Sequence, residues 1–160
     1  MIKKIILSLF LIILFGCSST RLVPTAEIKR IHNSKLAIVS VDYAGDIGVD
    51  IIIQNKLGKI VEILWDRSKI NDEKIVLSGV PYKDLYKDMK NDLLIPNLTY
   101  KRVIFPLSSI GDRGNISKLP YPVKLEIFFR RGEKIDKSTI IIREGNIVER
   151  RVDFMGQVID

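Results

Sequence analysis

The chain of 160 residues contains one cysteine and one histidine, and these two scarcities exclude much chemistry. A lone cysteine cannot close a disulfide within its own chain. A lone imidazole, His32, without a cysteine partner cannot supply the ligand set of a zinc site. No Gly-x-Ser-x-Gly elbow surrounds a serine, and Ser108 and Ser109 have no base near them in sequence. Glycine-rich loops of the kind that cradle phosphates are also missing. Charge of one sign never forms a run: the 26 lysines and arginines are interspersed with 19 acidic residues, so the net charge of +7 reads as a solvated basic exterior, and nucleic acid is not an expected partner. The longest apolar run, Ile5 to Phe15, has about eleven residues and as a helix spans roughly 16 Å, half of a hydrocarbon core. No catalytic, cofactor-binding or metal-binding set is expected from this inventory.

What the chain does have begins with that short run. Lys3 and Lys4 precede it, and Leu14-Phe15-Gly16-Cys17 closes it. A charged segment, an apolar segment and a small residue before the cut are the parts of an exported leader. With the cysteine in that place, the segment resembles the signal of a bacterial lipoprotein. The resemblance implies cleavage between Gly16 and Cys17, a diacylglyceryl thioether on Cys17, and a further acyl group on its amine in many species. Several acyl chains hold stably where one holds only marginally, so the expected membrane contact is through the acyl chains on Cys17. Ser18 follows the cysteine, which by analogy with Gram-negative sorting implies the outer membrane. Removal of Lys3 and Lys4 lowers the net charge to +5.

Residues 1–16 are thus expected to be a signal peptide with a helical apolar stretch, 17–34 a lipidated tether, and 35–160 a single domain. The tether reading rests on polarity, Pro24 and the lack of sustained periodicity; a flexible chain of that length would hold the domain about 20 Å from the membrane.

Strict alternation dominates the rest, and alternation puts successive side chains on opposite faces of a strand. Ala37, Val39, Val41 and Tyr43 share one face; Val49, Ile51 and Ile53 share another. Val61, Ile63 and Trp65 alternate with Glu62 and Asp66 after the turn-like Asn55-Lys56-Leu57-Gly58-Lys59, which predicts a hairpin from Val49 to Trp65. Further strands are predicted at Lys74–Leu77, Tyr100–Phe105, Pro122–Arg130, Ser138–Arg143 and Ile147–Phe154, with turns at Arg131-Gly132-Glu133 and Glu144-Gly145-Asn146. In the segment from Pro81 to Leu94, Tyr82, Leu85, Tyr86, Met89 and Leu93 recur at three- and four-residue intervals, which predicts a short amphipathic helix. The expected fold is therefore all-β: an antiparallel, immunoglobulin-like β-sandwich of about seven or eight strands with one short helical insertion. A small closed barrel is the alternative. The stretch DIIIQNKLGKIVEILWDRSKI, Asp50 to Ile70, is similar to a hairpin recurring in small bacterial surface lipoproteins. That resemblance implies a sandwich and no particular activity.

Several constellations invite function, each beside a plainer role. Asp84, Asp88 and Asp92 would share a helical face, but the interleaved Lys83, Lys87 and Lys90 favour salt-bridged solvent contact. Glu62 and Asp66 form a carboxylate pair of the kind glycan hydrolysis uses. Trp65 reads as core. Gly111 to Asn115 reads as an ordinary turn. Tyr82, Tyr86 and Met89 are the candidates for a partner-binding surface, because an insertion leaving the sandwich can expose them as an apolar patch. The function expected is a lipid-anchored, non-enzymatic envelope domain that binds another envelope protein. Two alternatives are a surface-glycan binder or hydrolase using Glu62 and Asp66, and a lipoprotein that shields the surface.

Overall fold

The computed structural model describes residues 19–111 and 117–152, with side-chain surroundings described for 27–111 and 117–144. The chain divides into two compact units, one formed by Met1–Pro24 with Asn146–Asp160 and one by Thr25–Gly145; the account below concerns the second. No helix among the described residues is long and apolar enough to cross a membrane. Gly16 and Cys17 lie outside the described residues, as do Asp112 to Asn115 of the expected turn.

Among the described residues ten strands follow in order: β1 (Ser19–His32), β2 (Ala37–Ala44), β3 (Val49–Asn55), β4 (Val61–Ile63), β5 (Lys69–Ile70), β6 (Glu73–Leu77), β7 (Asp92–Leu94), β8 (Thr99–Pro106), β9 (Val123–Arg131) and β10 (Lys134–Val152). They hydrogen-bond along the path β1-β10-β9-β5-β6-β8-β3-β2, with β4 joining β9 to β7 off that path. The pairings from β2 to β10 are antiparallel. β6 turns the corner between two layers: Glu73 and Lys74 pair with β5, whereas Ile75, Val76 and Leu77 pair with β8. One layer contains β10, β9, β4, β7 and β5, the other β8, β3 and β2. The all-β antiparallel sandwich expected from alternation is the fold found, curled toward a barrel. The strands not expected are β1, which lies in the stretch read as a tether, and β5 and β7, which are too short to leave a period in the sequence.

Alternation places the core. Val123, Leu125, Ile127 and Phe129 of β9 are buried, and Lys124, Glu126, Phe128 and Arg130 form its outer face. Opposite them stand Val39 of β2, Ile51 and Ile53 of β3 and Ile104 of β8. Trp65 is fully buried, as a core residue should be. β5 and β6 are joined by Asn71 and Asp72, both with positive φ, the backbone that a two-residue hairpin turn matched to strand twist requires.

Four local expectations are corrected. β3 and β4 do not form a hairpin: β3 pairs with β2 and β8, β4 with β7 and β9, and the chain between them crosses from one layer to the other. Alternation defines the two faces of a strand but not its neighbour, and a five-residue connection suits a corner as well as a turn. The Asn55 side chain makes the corner, accepting from Leu57 N at 2.7 Å and donating to Lys59 O and Leu94 O, each at 2.8 Å.

The helical insertion shrinks to one 3-10 turn, Tyr82–Asp84, and its last residues become β7. Pairing with β4 satisfies the backbone there, which a helix too short to be stable alone could not match. Glu144-Gly145-Asn146 is not a turn, since β10 continues through it. The stretch expected as a tether is largely β1, running beside β10. Glu27 to His32 are exposed on both faces of that strand, so no burial alternation marked it.

Candidate partner-binding surface

The segment from Pro81 to Leu98 lies between β6 and β8 and is held from beneath at several points. Leu85 is buried and Met89 packs partly buried against the core. Lys74 Nζ of β6 donates to Lys87 O, and Lys87 Nζ pairs with Asp84 at 2.5 Å. Asp92, first residue of β7, accepts the indole N–H of Trp65 at 2.8 Å. Arg102 of β8 lies 3.9 Å from the same carboxylate, stacks on the Tyr100 ring at 4.0 Å and donates to the Tyr100 hydroxyl. Burial, then the hydrogen bond and charge of Asp92, push the Tyr100 phenol well above its ordinary range, so it stays neutral. Asp92 is thus a polar rivet between the insertion and the core. Behind it, Asn91 Oδ1 is buried with no hydrogen-bond partner among the described residues.

Outward, large apolar side chains stand among the exposed Lys83, Lys87, Asp88 and Lys90. Among the described residues, Tyr82, Tyr86, Leu93, Ile95 and Leu98 are exposed, with Tyr86 at 72% and Leu98 at 57%. Ile60, one step beyond the paired Val61 and Leu94, is exposed as well. Tyr82 and Tyr86 stay exposed on either side of the buried Leu85, and burying Leu94 against Val61 sends Leu93 and Ile95 outward. Among the described residues β7 pairs only with β4, so its far side is a sheet edge there. Of the sequence candidates, the structure therefore brings Tyr82 and Tyr86 to the surface and turns Met89 toward the core. Leu93 was legible as part of the apolar period. Ile60, Ile95 and Leu98 carried no signal, since an isolated apolar residue beside a turn is ordinary.

The other constellations serve local structure. Glu62 accepts from Arg130 Nε at 2.5 Å, and that bond, against partial burial, holds its carboxyl below the ordinary range. A general acid in glycan hydrolysis needs the opposite direction. Asp84 is taken by Lys87 and Asp92 by Trp65, so these two carboxylates do not converge. Among the described residues no group of three or more His, Cys, Asp or Glu could hold a metal ion. His32 is 55% exposed, with Nε2 3.6 Å from Asp136.

No protein-family model matches the chain, and neither a curated protein nor a solved structure matches it significantly.

Proposed function

We propose that this chain is a lipid-anchored, non-enzymatic β-sandwich protein of the bacterial cell envelope, which binds another envelope protein through the Tyr82–Leu98 surface and the β7 edge. The observation that carries the reading is the concentration of exposed large apolar side chains on one segment: Tyr82, Tyr86, Leu93, Ile95 and Leu98. Exposed apolar area left on a surface costs solubility, and where it clusters it is characteristic of contact sites. Aromatic anchors beside an unpaired strand edge suit a protein partner, because the edge offers backbone hydrogen bonds and the side chains offer specificity. The anchor is read from Lys3, Lys4, the apolar run and Gly16-Cys17: cleavage before Cys17 and acylation of its thiol tie the domain to a membrane. In a Gram-negative cell the residue after the cysteine, Ser18, directs it to the outer membrane by analogy.

One experiment addresses both halves. A photo-crosslinking residue placed at position 86 in the full-length chain should yield a covalent adduct with a single envelope protein. The adduct should disappear in Leu93→Glu, and the protein should leave the membrane fraction in Cys17→Ser. An adduct-free result in intact cells overturns the docking surface; retention of Cys17→Ser in membranes overturns the lipid anchor.

A further inference from the structure

A second feature, sharing no residue with the surface above, is a cavity of about 300 Å³ lined by Lys35, Leu36, Leu57, Arg131 and Lys134. Three separate pieces of chain meet there: the crossing between β1 and β2, the corner between β3 and β4, and the turn between β9 and β10. We propose that this cavity is a binding site for an organic phosphate with a short aliphatic body, the phosphate held by Lys35, Arg131 and Lys134 and the carbon body resting on Leu36 and Leu57.

The backbone around the cavity is fixed before any ligand arrives. Ser34 N donates to Ser138 Oγ at 3.0 Å and Lys35 N to Asp136 Oδ2 at 2.7 Å, which pins the crossing to β10. Lys56 N donates to Leu36 O at 3.1 Å and Lys56 Nζ to Ser34 O at 2.9 Å, which pins the corner to the crossing. Arg131 and Lys134 are directly paired across a turn that Gly132 permits with φ of 58°. Long cationic side chains thus start from rigid positions.

The charges are the second argument. Lys35, Arg131 and Lys134 form no ion pair among the described residues, whereas Lys124, Arg130 and Lys137 on the neighbouring outer face all do. Glu133, in the turn between Arg131 and Lys134, is exposed and pairs with neither of them, and Asp136 is committed to backbone. Burial pushes its carboxyl up, but the N–H groups of Lys35 and Lys137, with the Ser34 hydroxyl and His32, bring it below the ordinary range. It therefore remains an anion turned to the strand crossing. Three like charges around one cavity repel each other, and an anion relieves that repulsion.

Phosphate suits the set better than carboxylate. A phosphomonoester carries a charge near −1.5 to −2 at neutral pH, whereas a carboxylate leaves two cations unmatched. The planar guanidinium of Arg131 takes two phosphate oxygens together, and the two ammonium groups act as point charges. Leu36 is buried and Leu57 half-buried against the core, so the floor that meets the ligand's carbon body is apolar. A cavity of this volume is at the small end of ligand sites, which limits the body to a short chain or a polyol.

The test is a titration of the full-length chain in neutral detergent, with methyl-labelled leucines followed by NMR. Hexyl phosphate should shift Leu36 and Leu57 saturably and bind about tenfold or more tighter than hexanoate, inorganic phosphate or hexanol. Lys35→Gln, Arg131→Gln and Lys134→Gln should each weaken binding with an unchanged melting temperature, and Arg131→Lys should restore only part of it. Dihexanoyl phosphatidylglycerol that shifts the same methyls, where dihexanoyl phosphatidylcholine does not, assigns the phosphate to a lipid headgroup. Glucose 6-phosphate that shifts them, with neither lipid doing so, assigns it to a soluble phosphate. Absence of saturable shifts at these two leucines overturns the site, as does equal binding of hexyl phosphate by the glutamine variants.

Discussion

At the scale of single residues, β9 shows how one position decides between core and surface. Leu125 is fully buried and Glu126 beside it accepts from Lys137 Nζ at 2.6 Å on the outer face. Leu125→Asp places an unpaired carboxylate among Val123, Ile127 and Ile140, a cost of several kcal/mol against a total stability of about 5 to 15 kcal/mol. Glu126→Gln keeps an acceptor for Lys137 and loses only a charge on a solvent-facing sheet, about 1 kcal/mol. Circular dichroism melts should show the first variant unfolded and the second lowered by a few degrees. Equal melting temperatures would mean that β9 is inverted. Trp65 shows the same logic with a polar tip: its ring fills the core, while its N–H reaches the half-exposed Asp92.

At the scale of elements, the corner between β3 and β4 matters more than either strand. Asn55 satisfies Leu57 N, Lys59 O and Leu94 O with one amide, joining the corner to β7. Asn55→Ala leaves a carbonyl of β7 and a corner N–H without their partner, and should cost about 1 to 3 kcal/mol. Hydrogen exchange should then accelerate at Leu57 and along β4 and β7 before β9 responds. Uniform acceleration across all strands would show that the corner is not a local unit. This element is also where sequence reading stopped. The face of each strand was legible because burial has a period of two, and β2, β3, β6, β8 and β9 were all found within a few residues. The partner was not legible, because hydrogen bonds between backbones carry no side-chain identity. β7 was hidden for a related reason: Leu85, Met89 and Leu93 have helical spacing, yet their burial follows a turn and a strand.

At the scale of the whole molecule, stability should depend on acid. Glu62 lies below its ordinary range through the Arg130 hydrogen bond, Glu126 through that of Lys137, and Asp136 through backbone and hydroxyl donors that outweigh its burial. A carboxylate depressed in the fold contributes stability that is complete above its unfolded value and is lost as pH falls through its folded one. Asp50 opposes them, raised first by burial and then by Asp42, so its contribution grows as pH falls. Three against one gives a net loss: urea midpoints should be flat near neutrality and fall below about pH 4. A midpoint independent of pH down to about pH 3 would contradict these pairings.

The scarcity of cysteine and histidine by itself settled that no disulfide within the chain and no His–Cys zinc set could be built, and alternation by itself settled an all-β domain. Both follow from composition and local geometry, which every copy of the sequence carries folded or not. Only the tertiary structure decided that β3 and β4 part company at Asn55, that Met89 turns inward while Tyr82 and Tyr86 stay out, and that Lys35, Arg131 and Lys134 surround one cavity. Residues so far apart in sequence meet only after the layers close, and it is core packing that chooses which of them do.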